Sequence, residues 1–352
     1  MKSLFLGGRF DGYMGKFSNK DNELSRYLNA DEVFNGGNTN VLDNVLDKIQ
    51  DYGKVFWFAD VPGKNGIVKQ VKRRNGRAIL VNAVRNNGDY SFSEMMQDSL
   101  DNRVNLIVET REGKMRVLDP LANMFLDYTH NLKLVGNVLD KRVEELERYT
   151  RVESFEVPGN VDVPDEQEFF SIVREYGKRF HEIIHGNLKE NRRFLGNASF
   201  RCERGFPSFR KGSFVFVSRR NVDKREIDRE DFVPVLDNLP VRYHGKNKPS
   251  VDSPVQVELY NYYPGVNYMI HGHVYVENAR FTDRIVPCGA MEEVDEIRKV
   301  YPERENENFA VNLLGHGSIV FVSKPMNFLR FKHTIRRMPE MHSQYLEERN
   351  GR

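Results

Sequence analysis

Hydrophobic and polar positions fall into two rhythms along this chain. Over residues 1–154, compact apolar runs alternate with stretches whose apolar positions recur at helical spacing. Ser3–Leu6, Glu32–Phe34, Lys54–Asp60, Ala78–Val84 and Val104–Glu109 read as strands, short β-branched or aromatic runs closed by turn-forming or polar residues. Between them, Val41, Leu42, Val45, Leu46 and Ile49 mark one face of a helix over Asn40–Tyr52, capped by Thr39 or Asn40. Ser91–Leu100 reads as a short helix, and helical signal returns over Asn137–Tyr149. Continuous apolar strands separated by helices predict a Rossmann-like α/β sheet covered on both faces, with ligands at the carboxyl ends of its strands.

Ser154–Gln167 interrupts the rhythm with two prolines, a glycine and several acids, so the chain is expected to divide into domains of residues 1–154 and 155–352. Beyond this linker, Phe169, Phe170, Ile172, Val173, Tyr176, Phe180, Ile183 and Ile184 form the apolar face of a long helix, Glu168–Lys189. His181 and His185 lie one turn apart on it; without an H-E-x-x-H pattern they read as a satisfied or solvated pair. Pro325–Glu348 reads as one or two helices packing on a sheet.

Two further strand patterns carry histidines. In Met269–Val276, His271 and His273 alternate with apolar residues, so both rings project to one face, and Gly272 between them allows close approach. In Phe309–Val322, glycines flank His316 and predict a kink that aims the ring out of the sheet. Neighbouring strands would bring the three imidazoles together, and three histidines with an open position are the arrangement of a catalytic divalent metal. The alternative is a set of core histidines bonded to backbone.

Composition narrows the partners. Lys+Arg of 53 against Asp+Glu of 51 gives no reason to expect nucleic acid, and the basic run Lys69–Arg77 reads as a solvated face. No apolar run approaches the roughly 20 residues needed to span a bilayer. Cys202 and Cys288 form neither a C-x-x-C nor a disulfide framework, which fits a reducing compartment, and the N-terminus lacks a signal-peptide run; the expectation is a cytoplasmic protein. The glycines of Gly7–Gly15 do not spell G-x-G-x-x-G, so a turn is favoured over a phosphate cradle there; Asp60, Asn82, Arg85 and Asn86 fall at strand ends and could line a small-molecule pocket.

The order of motifs in the second half resembles the class II aldolase/adducin family. The matching elements are Gly196–Ser199 (G-N-x-S), Asp228–Val233 after a strand and turn, and Lys248-Pro249-Ser250 before a helix ending at Tyr263–Val266. His271-Gly272-His273, Ile285–Cys288 and Leu314–Gly317 follow in the same order, so that the likeness spans residues 165–345. The resemblance implies a class II aldolase-like α/β domain with a central, mainly antiparallel sheet, assembled as a homo-oligomer, often a tetramer. It implies that His271, His273 and His316 hold a divalent cation, zinc foremost with manganese or iron as alternatives. The cation would polarise a substrate carbonyl and hydroxyl and stabilise an enediolate.

Asp252 stands where the family places a catalytic glutamate, one methylene shorter; its alternative role is a helix N-cap. Gly196, Asn197, Arg220 and Ser250 match the segments that hold a phosphate, with Arg220-Asn221 replacing a Thr-Gly turn. Only thirteen residues separate His273 from Pro287, leaving no room for the family's tyrosine acid, for which Tyr275 is the nearest substitute. The implied function is a metal-dependent aldolase-type lyase, or an epimerase or dehydratase, acting on a small, anionic, hydroxylated carbonyl compound. The alternatives are an adducin-like binding module without chemistry and a nucleotide-binding activity in the N-terminal half.

Overall fold

The computed structural model describes all residues except 13, 87–90, 185–193, 202–213 and 339–352. The chain divides into two compact units, Met1–Arg148 and Tyr149–Arg352.

In the first unit, β1 (Ser3–Gly7), β2 (Glu32–Asn35), β3 (Lys54–Trp57), β4 (Ile79–Arg85) and β5 (Leu106–Arg111) run parallel, in the order β2-β1-β3-β4-β5. Two strands without an apolar-run signature, β6 (Lys114–Leu118) and β7 (Met124–Thr129), extend the sheet antiparallel. One face buries Leu4, Leu6, Val55, Trp57 and Leu80 against the helices Thr39–Asp47, Lys64–Arg74 and Phe92–Asp101. The other buries Phe5, Phe56, Val81 and Val108 with the helices Asn19–Tyr27 and Leu132–Arg148. This is the predicted Rossmann-like α/β sheet. Two details differ from the sequence pattern. The basic run at 69–77 does face solvent at Lys69, Arg73, Arg74 and Arg77, but most of it belongs to a helix not read from the pattern, Lys64–Arg74, which buries Val68, Val71 and Lys72. The helix Asn19–Tyr27, too polar to show an apolar stripe, is set by a capping box of Ser18 and Asp21.

The second unit is built on a nine-stranded sheet. Its central strands are β9 (Asn197–Arg201), β10 (Phe214–Ser218), β11 (Phe232–Leu236), β13 (Tyr268–Gly272), β16 (Phe309–Leu313) and β17 (Gly317–Val322), antiparallel wherever they pair with one another. At one edge β12 (Arg242–His244) pairs with β8 (Phe155–Val157) in parallel, and at the other β15 (Arg280–Phe281) pairs with β16. The pair β14 (Tyr275–Val276) and β18 (Ile335–Arg336) stands apart. Part of the expected linker is therefore a sheet strand: Phe155, Glu156 and Val157 register with Arg242, Tyr243 and His244. The second unit also begins before residue 155. Tyr149 Oη donates to the Ile285 carbonyl at 2.9 Å, and Glu292 accepts from the Thr150 amide at 3.0 Å. The described part of Pro325–Glu348 contains a 3-10 helix, Pro325–Phe328, running into a short helix, Leu329–Lys332, and then β18.

Alternation along each strand splits the core in two. On one face lies the helix Gln167–Ile184 with the aromatic group Phe169, Phe170, Phe200, Phe216 and Phe232. On the other lie the helices Ser253–Tyr262 and Glu292–Val300 over Val217, Met269, Val311 and Phe321. No helix among the described residues is long and apolar enough to cross a membrane.

Phe200 is the hub of the aromatic group, 5.0 Å from Phe216, 5.3 Å from Phe232 and 5.7 Å from Phe169, centroid to centroid. Phe200→Ala is expected to destabilise the second unit by about 3–5 kcal/mol, measured by urea unfolding. A loss below about 1 kcal/mol would mean that the group is not the core of this face.

Candidate metal and substrate site

The three histidines meet at one end of the sheet. His271 lies on β13 in register with Asn197 of β9 and Ile319 of β17; His273 follows at the strand end, and His316 sits in the turn between β16 and β17. That turn is fixed from below. Tyr275 Oη accepts from the Gly315 amide at 2.7 Å, and Thr282 Oγ1 accepts from the Leu314 amide at 2.9 Å. Tyr275 is thus fully buried and engaged as a support of the turn, and the idea that it substitutes for the missing tyrosine acid is set aside.

Close backbone approach makes the convergence geometrically available. A Cβ on Gly317 (φ +139°) would lie 2.1 Å from the Gly272 carbonyl oxygen, and one on Gly196 (φ +79°) 2.4 Å from that of His271. Only glycine fits such positions. With the strands this close, ring centroids of the three histidines lie 4.8–5.1 Å apart, and one nitrogen from each falls within 4.8 Å of the other two.

The outer nitrogens say what the inner ones are free to do. His271 Nδ1 donates to the Ser318 carbonyl at 2.9 Å, and His316 Nδ1 donates to Glu293 Oε1 at 2.6 Å, both in buried surroundings. The Ser318 carbonyl can only accept, so His271 Nδ1 holds the hydrogen, and Glu293 accepts from His316 Nδ1 when it is a carboxylate. The Nε2 atoms of His271 and His316 are buried and have no hydrogen-bond partner. Burial, together with the neighbouring His316, pushes His271 down to about 4, so its ring is neutral. Burial works against protonating His316 as well, but the Glu293 carboxylate outweighs it and holds the ring well above its ordinary value. Orphaned inner nitrogens, with outer nitrogens tied to a carbonyl and a carboxylate, are a donor set that fits a divalent cation.

Beside the histidines lies a polar cluster around Asp252. Asn197 Nδ2 donates to Asp252 Oδ2 at 2.6 Å and to Ser250 Oγ at 3.2 Å, and Cys288 Sγ donates to Asp252 Oδ1 at 3.0 Å. Gln256 Nε2 in turn donates to Asn197 Oδ1. Asp252 does occupy the N-cap position of its helix, yet its side chain makes no capping bond and turns to this cluster instead. Burial and the Asp252 charge push the Cys288 thiol up to about 11, so it remains a donor. Arg220 is exposed, its Nε donating to the Pro249 carbonyl at 2.9 Å, next to Ser250 and outside the cluster itself. Asn221 takes the positive φ (+59°) that the replaced glycine would have supplied. His181 is not among the three clustered histidines and lines a cavity with Phe180 and Lys224 instead, and His185 and Cys202 fall outside the described residues. The sequence does not single out Glu293 or Gln256, and it marks Cys288 only as a cysteine and as part of the Ile285–Cys288 element.

In the first unit, no helix opens at Gly15; Arg9 bridges to Lys16 and to Asp60, and Asp60 pairs with Arg85 at 3.0 Å. Asn86 donates to Glu109 at 2.8 Å, and Asn82 is buried in β4.

Residues 184–279 match the family described as class II aldolase and adducin N-terminal domain. That match lies within the second unit. The matched segment includes Gly196, Asn197, Ser250, Asp252, His271 and His273 and stops short of Cys288, Glu293 and His316. Among solved structures, the chain is similar to an L-fuculose 1-phosphate aldolase (TM-score 0.37, 16% identity, covering 53% of this chain and 89% of that one). It is also similar to the L-fuculose-1-phosphate aldolase of Thermus thermophilus (0.34, 17%, 52% and 95%) and to a sugar-phosphate aldolase of Thermotoga maritima (0.34, 14%, 50% and 95%). No curated protein matches the chain.

Gly196→Ala would force a Cβ onto the His271 carbonyl at a left-handed backbone position. It is expected to lose more than about 1 kcal/mol, read as a lower melting temperature. An unchanged melting temperature would mean that β9 and β13 can separate at the site without penalty.

Proposed function

We propose that the second unit is a metal-dependent aldolase-type lyase, or a related epimerase or dehydratase, acting on a small hydroxylated, phosphorylated carbonyl compound. His271, His273 and His316 would hold the divalent cation, zinc foremost with manganese or iron as alternatives. The observation that carries this reading is the pair of buried, unbonded Nε2 atoms on His271 and His316, each ring turned inward by the bond its Nδ1 makes. An unpaired buried nitrogen costs about 1–3 kcal/mol. A binding module of the adducin kind has no need to carry that cost twice in one cluster.

The cation, when bound, would polarise the substrate's carbonyl and neighbouring hydroxyl. Asp252 is the acid/base group: its carboxylate moves the proton next to the carbonyl. Asn197 and Cys288 hold its two oxygens, so it is aimed before substrate arrives. Ser250, Asn197, the Gly196 turn and Arg220 line the approach for an anionic group. Glu293 fixes the tautomer of His316 and raises its basicity toward the cation. Homo-oligomeric assembly, up to a tetramer, and a cytoplasmic location belong to the same reading.

Two outcomes test it. Asp252→Asn is expected to lower kcat/KM by about 10²–10⁴ on whichever phosphorylated ketose or aldose wild type cleaves or epimerises in a substrate screen; turnover at the wild-type rate would remove Asp252 from the chemistry. Glu293→Gln should weaken zinc binding about 10- to 100-fold in competition with a chelator. An unchanged affinity would leave Glu293 with a purely structural part.

A further inference from the structure

At the same end of the sheet, on the face covered by the helix Gln167–Ile184, lies a small, partly enclosed cavity. Gly177, Phe180 and His181 of that helix, Phe194 and Leu195, and Asp223, Lys224 and Arg225 are among its walls. Two connections link it to the histidine site. Phe180 packs its ring onto Gly272, between His271 and His273: a Cβ there would stand 2.5 Å from Cζ. Phe194 and Leu195 run directly into Gly196 and Asn197.

Lys224 is the anomaly. It is buried, 7% exposed, and the bond from its Nζ to a described residue is a long one, 3.4 Å to the Phe194 carbonyl. No described carboxylate forms an ion pair with it. Asp223, next in sequence, is engaged by Arg225 through three contacts of 2.6–3.1 Å. A buried ammonium without a counter-ion is unfavourable, and burial pushes this amine down to about 7 against the opposing charges of Asp223 and Asp252. Among the described residues, the charged or titratable groups around the amine are Asp223, Arg225 and His181 at the cavity, and Asp252 and His271 at the site. Asp223 is taken up by Arg225, so among the described residues no carboxylate is bonded to the amine.

We propose that Lys224 Nζ holds the oxyanion, phosphate or carboxylate, of the small molecule whose carbonyl end reaches the histidine cluster. This rests on the functional reading above and places a specificity-determining residue in a segment that no motif marks. An ammonium in a desolvated cavity gives charge-assisted hydrogen bonds that a methionine or glutamine of similar length does not.

Inorganic phosphate and, separately, acetate are titrated into zinc-treated full-length wild type, Lys224→Met and Lys224→Gln, with zinc affinity and thermal unfolding measured on the same samples. At least one anion should bind wild type, with Kd raised about tenfold or more in both variants while zinc affinity and unfolding stay at wild-type values. Which anion binds more tightly identifies the substrate's charged group. Equal anion affinity in wild type and both variants overturns the inference. So does a wild type that takes up zinc but binds neither anion; in that case the metal reading still stands. Lys224-dependent anion binding in a protein that takes up no zinc would keep the cavity and overturn the metal reading.

Discussion

Backbone touching backbone is the constraint on which the site depends. At the ends of β9, β13 and β17 the chain passes so closely that Gly196 faces the His271 carbonyl and Gly317 faces that of Gly272, with no space for a Cβ at either position. The closeness sets the ring separations of the three histidines, because β13 is hydrogen-bonded to β9 on one side and β17 on the other. A side chain at either glycine would push the strands apart and with them the imidazoles. The two apolar faces of the nine-stranded sheet supply the stiffness that holds this approach.

On that frame, the electrostatics run from the outside in. The Ser318 carbonyl and the Glu293 carboxylate accept hydrogen bonds from the two Nδ1 atoms, which leaves both Nε2 atoms buried and without a hydrogen-bond partner. Asn197 and Cys288 do the corresponding work for Asp252, and Gln256 holds Asn197 from behind. Both oxygens of Asp252 are fixed by these neighbours. Orientation is therefore built before any ligand arrives.

Much of this was legible in the sequence, for physical reasons. Val55, Phe56 and Trp57, or Leu80 and Val81, are buried strand residues of a parallel sheet and read as continuous apolar runs. His271, Gly272, His273 and the glycines around His316 mark the site because alternation and close approach leave a trace in residue type. Glu293 left none: it sits in the acidic start of a helix beside Glu292 and Asp295, and sequence cannot tell which acid turns inward. Lys224 lies in a charged stretch, Asp223–Glu226, that reads as solvent-facing although the amine is buried. The strands β6 and β7, at the antiparallel end of the sheet, were missed because their partly buried positions mix polar and apolar residues. The reach of the second unit back to Tyr149 depends on contacts with Ile285 and Glu292, more than a hundred residues away.

The most direct measurement is the metal content of purified wild-type protein by elemental analysis, beside His271→Ala and His316→Ala purified identically. The account predicts a near-stoichiometric divalent cation in wild type and its loss from both variants, with their second unit still folded. Wild-type protein free of metal, and not stabilised by added zinc, manganese or iron, would contradict it.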